Sequence, residues 1–179
     1  MSKQFFNEYI SEIKNKYLSL DVGLFLKIKD LFLSVRDNNA KIIIVGNGGS
    51  AAIASHVSID LTKTVKIRSV TFNESSLITC LANDYGYEEW VSEALGNYAN
   101  DKDLVILISS SGKSLNMINA AKKTKELNLN LLTLTGFNKD NPLSLLGDIN
   151  LWVDSNSYNT VENVHQIALL SILDLIIET

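Results

Sequence analysis

Two short polar segments carry the residue types that could do chemistry in this chain of 179 residues. The first, Gly46–Ala52, is rich in glycine and directly follows the apolar run Ile42–Val45. The second, Ser109–Ser114, contains four serine hydroxyls and follows the apolar run Leu104–Ile108. Glycines allow the backbone to approach a ligand closely, and the free N–H groups of a helix N-terminus attract an anion. Both segments therefore predict a phosphate-binding loop, and a tight turn with a helix cap is the structural alternative for either one.

Short apolar runs alternate with helical patterns from residue 40 onward, and this alternation places the two polar segments in a fold. Each run is too continuous for a strand with one solvated face, so we predict a parallel sheet with helices on both sides. In such a sheet, ligands bind at the carboxyl ends of the strands, where both polar segments fall. The predicted strands are Ile42–Val45, Ile67–Phe72, Leu104–Ile108, Leu131–Leu134 and Ile149–Val153. The predicted helices between them are Ser50–Thr64, Ser75–Asn83, Tyr87–Tyr98, Leu115–Leu127 and Pro142–Leu146.

Helical patterns also open and close the chain. Residues 3–19 and 22–36 place apolar residues at helical spacing, and the last pattern, Val161–Ile177, is apolar nearly all round. We expect a single domain over residues 1–179, with N-terminal helices in 1–38 that serve packing and oligomerisation and an α/β core in 40–179. Such an apolar last helix suggests burial against a second subunit, and hence a homo-oligomer, although a central helix in a monomer would show the same pattern.

Composition narrows the class of protein. Hydrophobic residues make up 46% and charged residues 20%, which is typical of a soluble globular domain. The 16 basic and 20 acidic side chains give a net charge of −4, which argues against a nucleic-acid partner. The one cysteine, Cys80, excludes a disulfide framework and is expected to be a small core residue. We expect no membrane partner and a cytoplasmic location, since the last apolar stretch is interrupted by Asp174.

The first segment also matches the G-x-G-x-x-A pattern of folds that bind nicotinamide dinucleotides. Such folds place an acidic residue for the ribose about 20 residues further on, at the end of the next strand. Here the run Ile67–Phe72 is followed by Asn73 and Glu74, which do not fit that role well. A dinucleotide site would also have no use for the serine segment, so no nucleotide cofactor is expected.

Three motifs in this order resemble the sugar isomerase (SIS) domain, and within it the phosphoheptose isomerase branch. They are Gly46–Ala52 with His56, then Asn83-Asp84-Tyr85-Gly86, then Ile108–Ser114. The resemblance implies a three-layer, flavodoxin-like α/β sandwich with a parallel five-stranded sheet, additional N-terminal helices and a tetramer. It also implies a set of substrate-binding residues: Asn47, Gly48, Gly49, Asn83, Asp84, Ser109, Ser110, Ser111 and Ser114.

The chain departs from this family where the chemistry is expected. Moving a proton between adjacent carbons through an enediol requires a base and a group that polarises the carbonyl. In the isomerases that this chain resembles, a cluster of His, Glu, Gln and His side chains does this work, often around zinc. This chain keeps His56 but has Asp60 in the Glu position, Glu162 in the Gln position and Leu170 in the place of the second His. Leucine can neither transfer a proton nor bind a metal.

These departures leave three candidate catalytic residues. Glu162 is the predicted base, Asp60 would support it, and His56 would polarise a sugar oxygen or bind metal. The same three side chains could hold Zn²⁺ or another divalent metal with one open position. His165 lies on another face of the last helix, and we predict a structural, partly buried histidine there.

The resemblance implies an isomerase that converts sedoheptulose 7-phosphate to D-glycero-D-manno-heptose 7-phosphate, or acts on a related heptose phosphate, for lipopolysaccharide or capsule precursors. Two alternatives remain. One is a non-catalytic SIS protein that binds a phosphosugar or a replication-initiator partner as a tetramer. The other is a sugar-phosphate enzyme of surface-polysaccharide synthesis with a different specificity.

Overall fold

The computed structural model describes residues 2–179, and its helices and strands form one α/β sandwich. The predicted fold class is confirmed. The elements are α1 (Ser2–Leu18), α2 (Val22–Asp37), β1 (Ile42–Gly46), α3 (Gly49–Lys63), β2 (Ser69–Val70), α4 (Ser75–Tyr85), α5 (Trp90–Tyr98), β3 (Leu104–Ser109), α6 (Leu115–Glu126), β4 (Asn130–Thr135), β5 (Ile149–Trp152) and α7 (Tyr158–Glu178).

All five strands are parallel and lie in the order β2-β1-β3-β4-β5. The order reverses between β1 and β3, which pair directly with Ile42 opposite Leu104. The loops that leave two such neighbouring strands diverge to opposite faces and open a crevice between them. The two polar segments of the sequence are the loops after β1 and β3, so both border this crevice.

Side chains of the central strands alternate between two hydrophobic layers, as the pleat of a strand requires. Ile42 and Ile44 of β1 pack in the layer that α1, α2, α3 and α7 cover. Ile43 and Val45 pack in the opposite layer, which α4, α5 and α6 cover. All four side chains are fully buried, which explains why β1 is apolar on both faces.

Helix α7 is the central helix of the first layer. In the part of the chain that the structure describes, it is the one helix that is long and apolar enough to cross a membrane by length and composition. Half of that stretch is buried inside the protein, where α7 packs against α1, α2 and α3. Its apolar character is therefore explained in part by packing within one protomer.

Several predicted boundaries differ from the structure. Strand β2 contains only Ser69–Val70. The flanking Ile67 and Phe72 are buried, as the apolar run predicts, but they do not pair with β1. Residues 142–146 form a short turn rather than a helix, and α5 begins at Trp90. The prediction that Cys80 is a core residue is wrong. Cys80 lies on the exposed side of α4, because its apolar neighbours in the sequence occupy the inner face of the helix.

Candidate active site

A polar cavity of about 100 Å³ lies at the crevice between β1 and β3. Residues from both polar loops and from the start of α7 surround it. They are Asn47, Ser50, Ile108, Ser109, Ser110, Ser111, Ser114, Tyr158 and Glu162. The structure thus brings together the first loop, the serine loop and the predicted base, three features that are far apart in the sequence.

The serine side of the cavity offers hydrogen-bond donors that the described residues leave free. The Ser110 hydroxyl is buried and has no hydrogen-bond partner within residues 2–179. Helices α3 and α6, which begin at the cavity, start without a side-chain cap, whereas α2, α4 and α7 are capped by side chains. Uncapped helix N-termini present N–H groups and a partial positive charge. This side of the cavity suits an oxyanion such as a phosphate.

The first loop passes very close to α7. Gly48 has a positive φ of 54°, a conformation that favours glycine. At Gly49, a Cβ atom would lie 2.1 Å from Glu162 Oε2. A side chain at position 49 would therefore occupy the space of the carboxylate, and the two glycines let Glu162 reach the loop backbone.

Glu162 is the acidic side chain of this cavity. Burial raises the pKa of its carboxyl above the ordinary value, because the charged form loses solvation. A bound phosphate would raise this pKa further, since a second negative charge nearby also disfavours the carboxylate. Both effects bring the group closer to the range in which a general base works at neutral pH.

His56 lies on the exposed side of α3 between two partners. Its Nε2 is 3.2 Å from Asp60 Oδ2, as the predicted i, i+4 spacing implies, and its Nδ1 is 3.1 Å from Gln166 Nε2. A carboxylate only accepts hydrogen bonds, so a neutral ring carries its proton on Nε2 and accepts from the Gln166 amide at Nδ1. Sequence reasoning missed Gln166, although its position one turn after Glu162 was a usable signal.

The three predicted metal ligands do not assemble. Among the described residues, no group of three or more His, Cys, Asp or Glu side chains could hold a metal ion. Glu162 lines the cavity, whereas His56 and Asp60 pair with each other, and Leu170 packs against the hydrophobic layer. Within one protomer these side chains form no three-ligand site, and the metal site stays a prediction.

Two other predictions fall outside the cavity. Asn83 and Asp84 lie exposed at the end of α4, where the Asn83 amide donates to Asp84 Oδ1 at 2.9 Å, and they do not line this cavity. His165 is fully buried rather than partly buried, and its Nε2–H donates to the Thr135 carbonyl at 3.0 Å. Burial lowers the pKa of His165 to about 4, so the ring is neutral and structural.

The fold and the cavity define a flavodoxin-like α/β protein with a polar ligand site at its switch point. The SIS domain model matches residues 5–136, so the chain belongs to the SIS domain family. The phosphoheptose isomerase of Helicobacter pylori is 34% identical over 154 residues, which cover 82% of this chain and 79% of that protein. Phosphoheptose isomerase 1 of Campylobacter jejuni is 33% identical, over 88% of this chain and 87% of that protein.

Comparison with solved structures agrees with this assignment. The phosphoheptose isomerase GmhA from Neisseria gonorrhoeae superposes with a TM-score of 0.90 at 25% identity, over 99% of both chains. The resemblance to the SIS domain and to its phosphoheptose isomerase branch is thus confirmed.

Proposed function

We propose that the protein is an aldose–ketose isomerase that converts sedoheptulose 7-phosphate to D-glycero-D-manno-heptose 7-phosphate. The names and the coverage of its relatives support this activity. One observation of the site carries the argument, namely that the Glu162 carboxylate lines the same cavity as the serine loop. A base and a phosphate-binding loop that face one cavity are what a phosphosugar isomerase requires.

A heptose phosphate is longer than one turn of α7. The serine loop would hold the phosphate, and α7 carries Glu162, Gln166 and Leu170 one turn apart, each about 6 Å further along the helix. A seven-carbon chain extends roughly 8 Å from its phosphate-bearing carbon, from ordinary carbon–carbon lengths. Because Glu162 lines the same cavity as the serine loop, the sugar would extend from that loop toward Glu162 and the following turn of α7.

The reaction needs no oxidant or reductant from outside the substrate. Glu162 takes a proton from C1 of the ketose, a C1–C2 double bond forms, and the electron pair of the C2 carbonyl moves to its oxygen. The resulting enediolate collapses with its C1 oxygen as the new carbonyl. C2 receives the proton from Glu162, and the hydroxyl proton moves from the C1 oxygen to the C2 oxygen. Atoms and electrons balance within the sugar.

His56 and Asp60 form the second part of this proposal. Asp60 holds the proton of His56 on Nε2, and the ring lies next to Gln166, one turn along α7 from Glu162. Both ring nitrogens have partners here, so His56 would exchange a proton with a sugar oxygen at Nδ1, after that oxygen takes the place of the Gln166 amide. No step requires a metal, and added Zn²⁺ is therefore tested as a separate variable.

We also propose a cytoplasmic homotetramer that supplies precursors of lipopolysaccharide or capsule. Exposed apolar side chains on α1, namely Phe5, Phe6 and Ile10, support an assembly, because a second copy would remove them from water. Ile167 on α7 is also 42% exposed. Light scattering on the purified protein at several concentrations tests this part, and a single monomeric species throughout would contradict it.

The test of the activity is exchange of substrate hydrogen for deuterium. The protein is incubated with sedoheptulose 7-phosphate in D₂O, with added Zn²⁺ and after chelation, and followed by NMR. We expect the aldose product and deuterium next to the carbonyl, and loss of both in Glu162→Gln. Glu126→Gln is the matched control, because Glu126 is an exposed partner of Lys123 at the far end of α6.

The outcomes separate the candidate functions. Exchange that persists in Glu162→Gln would remove Glu162 from the role of base. No exchange under any metal condition, with phosphate binding retained, would favour the non-catalytic alternative or a different sugar phosphate. Exchange only with Zn²⁺ would show that the metal-free step is incorrect.

A further inference from the structure

Asn47, the first-loop side chain in the cavity, belongs to a closed hydrogen-bond network. Its Nδ2 donates to Asn116 Oδ1 at 2.9 Å, and Asn116 Nδ2 donates back to Asn47 Oδ1 at 2.9 Å. The Tyr87 hydroxyl donates to the same Asn47 Oδ1 at 3.1 Å. Asn116 is 2% exposed, so this pair of amides is shielded from water on one side.

The network determines what Asn47 can offer to a ligand. An asparagine side chain has two N–H donors and one carbonyl oxygen with two lone pairs. Both lone pairs of Asn47 are taken, by Asn116 and Tyr87, and one N–H is taken by Asn116. One N–H group remains on a side chain that lines the cavity. Toward a ligand, Asn47 is therefore a hydrogen-bond donor and cannot accept.

The network also joins three separate segments of the fold. Asn47 follows β1, Asn116 lies in the first turn of α6 after β3, and Tyr87 lies between α4 and α5. The asparagine pair spans the crevice between the two diverging loops. The pair thereby connects the first loop to the start of α6, which directly follows the serine loop.

We propose that Asn116 and Tyr87 are positioning residues that fix Asn47 as a one-way hydrogen-bond donor to the sugar oxygen that becomes the enediolate oxyanion. This inference rests on the proposed isomerase function. The serine hydroxyls and the α6 N-terminus would bind the phosphate, whereas Asn47 and Glu162 line the cavity beside the first loop. A fixed donor at a developing negative charge accelerates the chemical step, and loss of such a donor costs roughly 10²–10³ in kcat.

The test uses Asn116→Asp and Tyr87→Phe. An aspartate at position 116 cannot donate to Asn47 Oδ1 and repels it, so the Asn47 amide loses the partner that fixes its orientation and its N–H is no longer held toward the sugar oxygen. We expect kcat for sedoheptulose 7-phosphate to fall at least tenfold in Asn116→Asp and less in Tyr87→Phe. KM and the affinity for inorganic phosphate should stay within twofold. Asn97→Asp is the matched control, since Asn97 bonds only to a backbone carbonyl in α5.

Folding and activity are read separately. Tyr87 is 55% exposed, so Tyr87→Phe is expected to fold. Its kcat tests the proposal if the variant of the buried residue, Asn116→Asp, fails to fold. A folded variant with unchanged kcat, or with a raised KM alone, would overturn the proposal. If the wild type turns over no sugar phosphate, the proposed function fails. The hydrogen-bond network is then tested by NMR of the Asn47 side-chain amide. One of its two protons must exchange slowly, and the amide signals must shift when sedoheptulose 7-phosphate is added.

Discussion

The substitution Gly49→Ala moves the predicted base without changing its chemistry. A Cβ at position 49 would lie 2.1 Å from Glu162 Oε2 and 2.7 Å from its Cδ, whereas ordinary contact begins at 3.4 Å. The carboxylate must therefore retreat by about 1.3 Å, the difference between 3.4 and 2.1 Å. Because the conflicting atoms are the end of a flexible side chain, the backbone of α3 can stay in place.

The expected effects on activity and stability have opposite signs. A misplacement of about 1 Å in a reacting group can reduce the rate by roughly 10²-fold, so we expect kcat to fall by about two orders of magnitude. Alanine is the better helix former, and Gly49 has an ordinary helical backbone at the start of α3. The free energy of unfolding should thus be unchanged or higher by up to about 1 kcal/mol.

The assay compares turnover of sedoheptulose 7-phosphate with thermal unfolding for the wild type, Gly49→Ala and Gly96→Ala. Gly96 lies in α5, where the nearest atom to an added Cβ is Lys123 Cε at 3.6 Å, so this control should keep wild-type kcat. Full activity in Gly49→Ala would refute the argument that the position of Glu162 determines the rate. A large loss of stability would refute the assignment of the clash to a flexible side chain.

Three further predictions concern single side chains. His165 has a folded pKa of about 4 against an ordinary 6.5, so the unfolded chain binds more protons between these values. About 3 kcal/mol of stability, present above pH 6.5, should be lost as the pH falls to 4, and urea unfolding that is independent of pH there would contradict this. Ser110→Ala should weaken phosphate binding at least tenfold in calorimetry without destabilising the fold, because its Oγ has no partner within residues 2–179. Gln166→Leu should leave His56 in the Nε2–H tautomer in nitrogen NMR, because Asp60 still accepts that proton, while a mixture of both tautomers would show that Gln166 is needed to fix the ring.

The phosphate loop and the base were predictable because their signals are local. A glycine-rich or serine-rich segment after a buried strand falls at the carboxyl edge of a parallel sheet whatever the details of packing. Glu162 could be found because it occupies a motif position near the start of the last helix. The structure then places all three at one cavity.

Partnerships between side chains of elements far apart in the sequence were not predictable. The Asn47–Asn116 pair spans 69 residues and the His56–Gln166 pair spans 110. Each depends on how two separate elements pack against the sheet, and no spacing rule within one element gives this information. The same reason applies to the predicted metal ligands, since their residue types fit a metal but they form no group of three within the described residues.

The extent of strand β2 at the sheet edge and the side of α4 on which Cys80 lies also differ from the prediction. An apolar run predicts burial, and Ile67 and Phe72 are indeed buried, but only two residues between them pair with β1. Cys80 lies within an apolar run as well, yet it faces outward. Hydrophobicity averaged over a short window does not distinguish the two sides of an amphipathic helix.

The bare starts of α3 and α6 and the unpaired Ser110 hydroxyl have a thermodynamic consequence for identifying the ligand. A molecule that binds only the folded protein raises its stability by RT ln(1 + [L]/Kd), which is about 2.7 kcal/mol at a concentration of 100 Kd. For a domain of this size, each kcal/mol shifts the melting temperature by about 2–4 °C. Sugar phosphates of different chain length can therefore be ranked by melting temperature alone, before any turnover assay exists. The same measurement on Ser110→Ala shows which part of the shift comes from the phosphate.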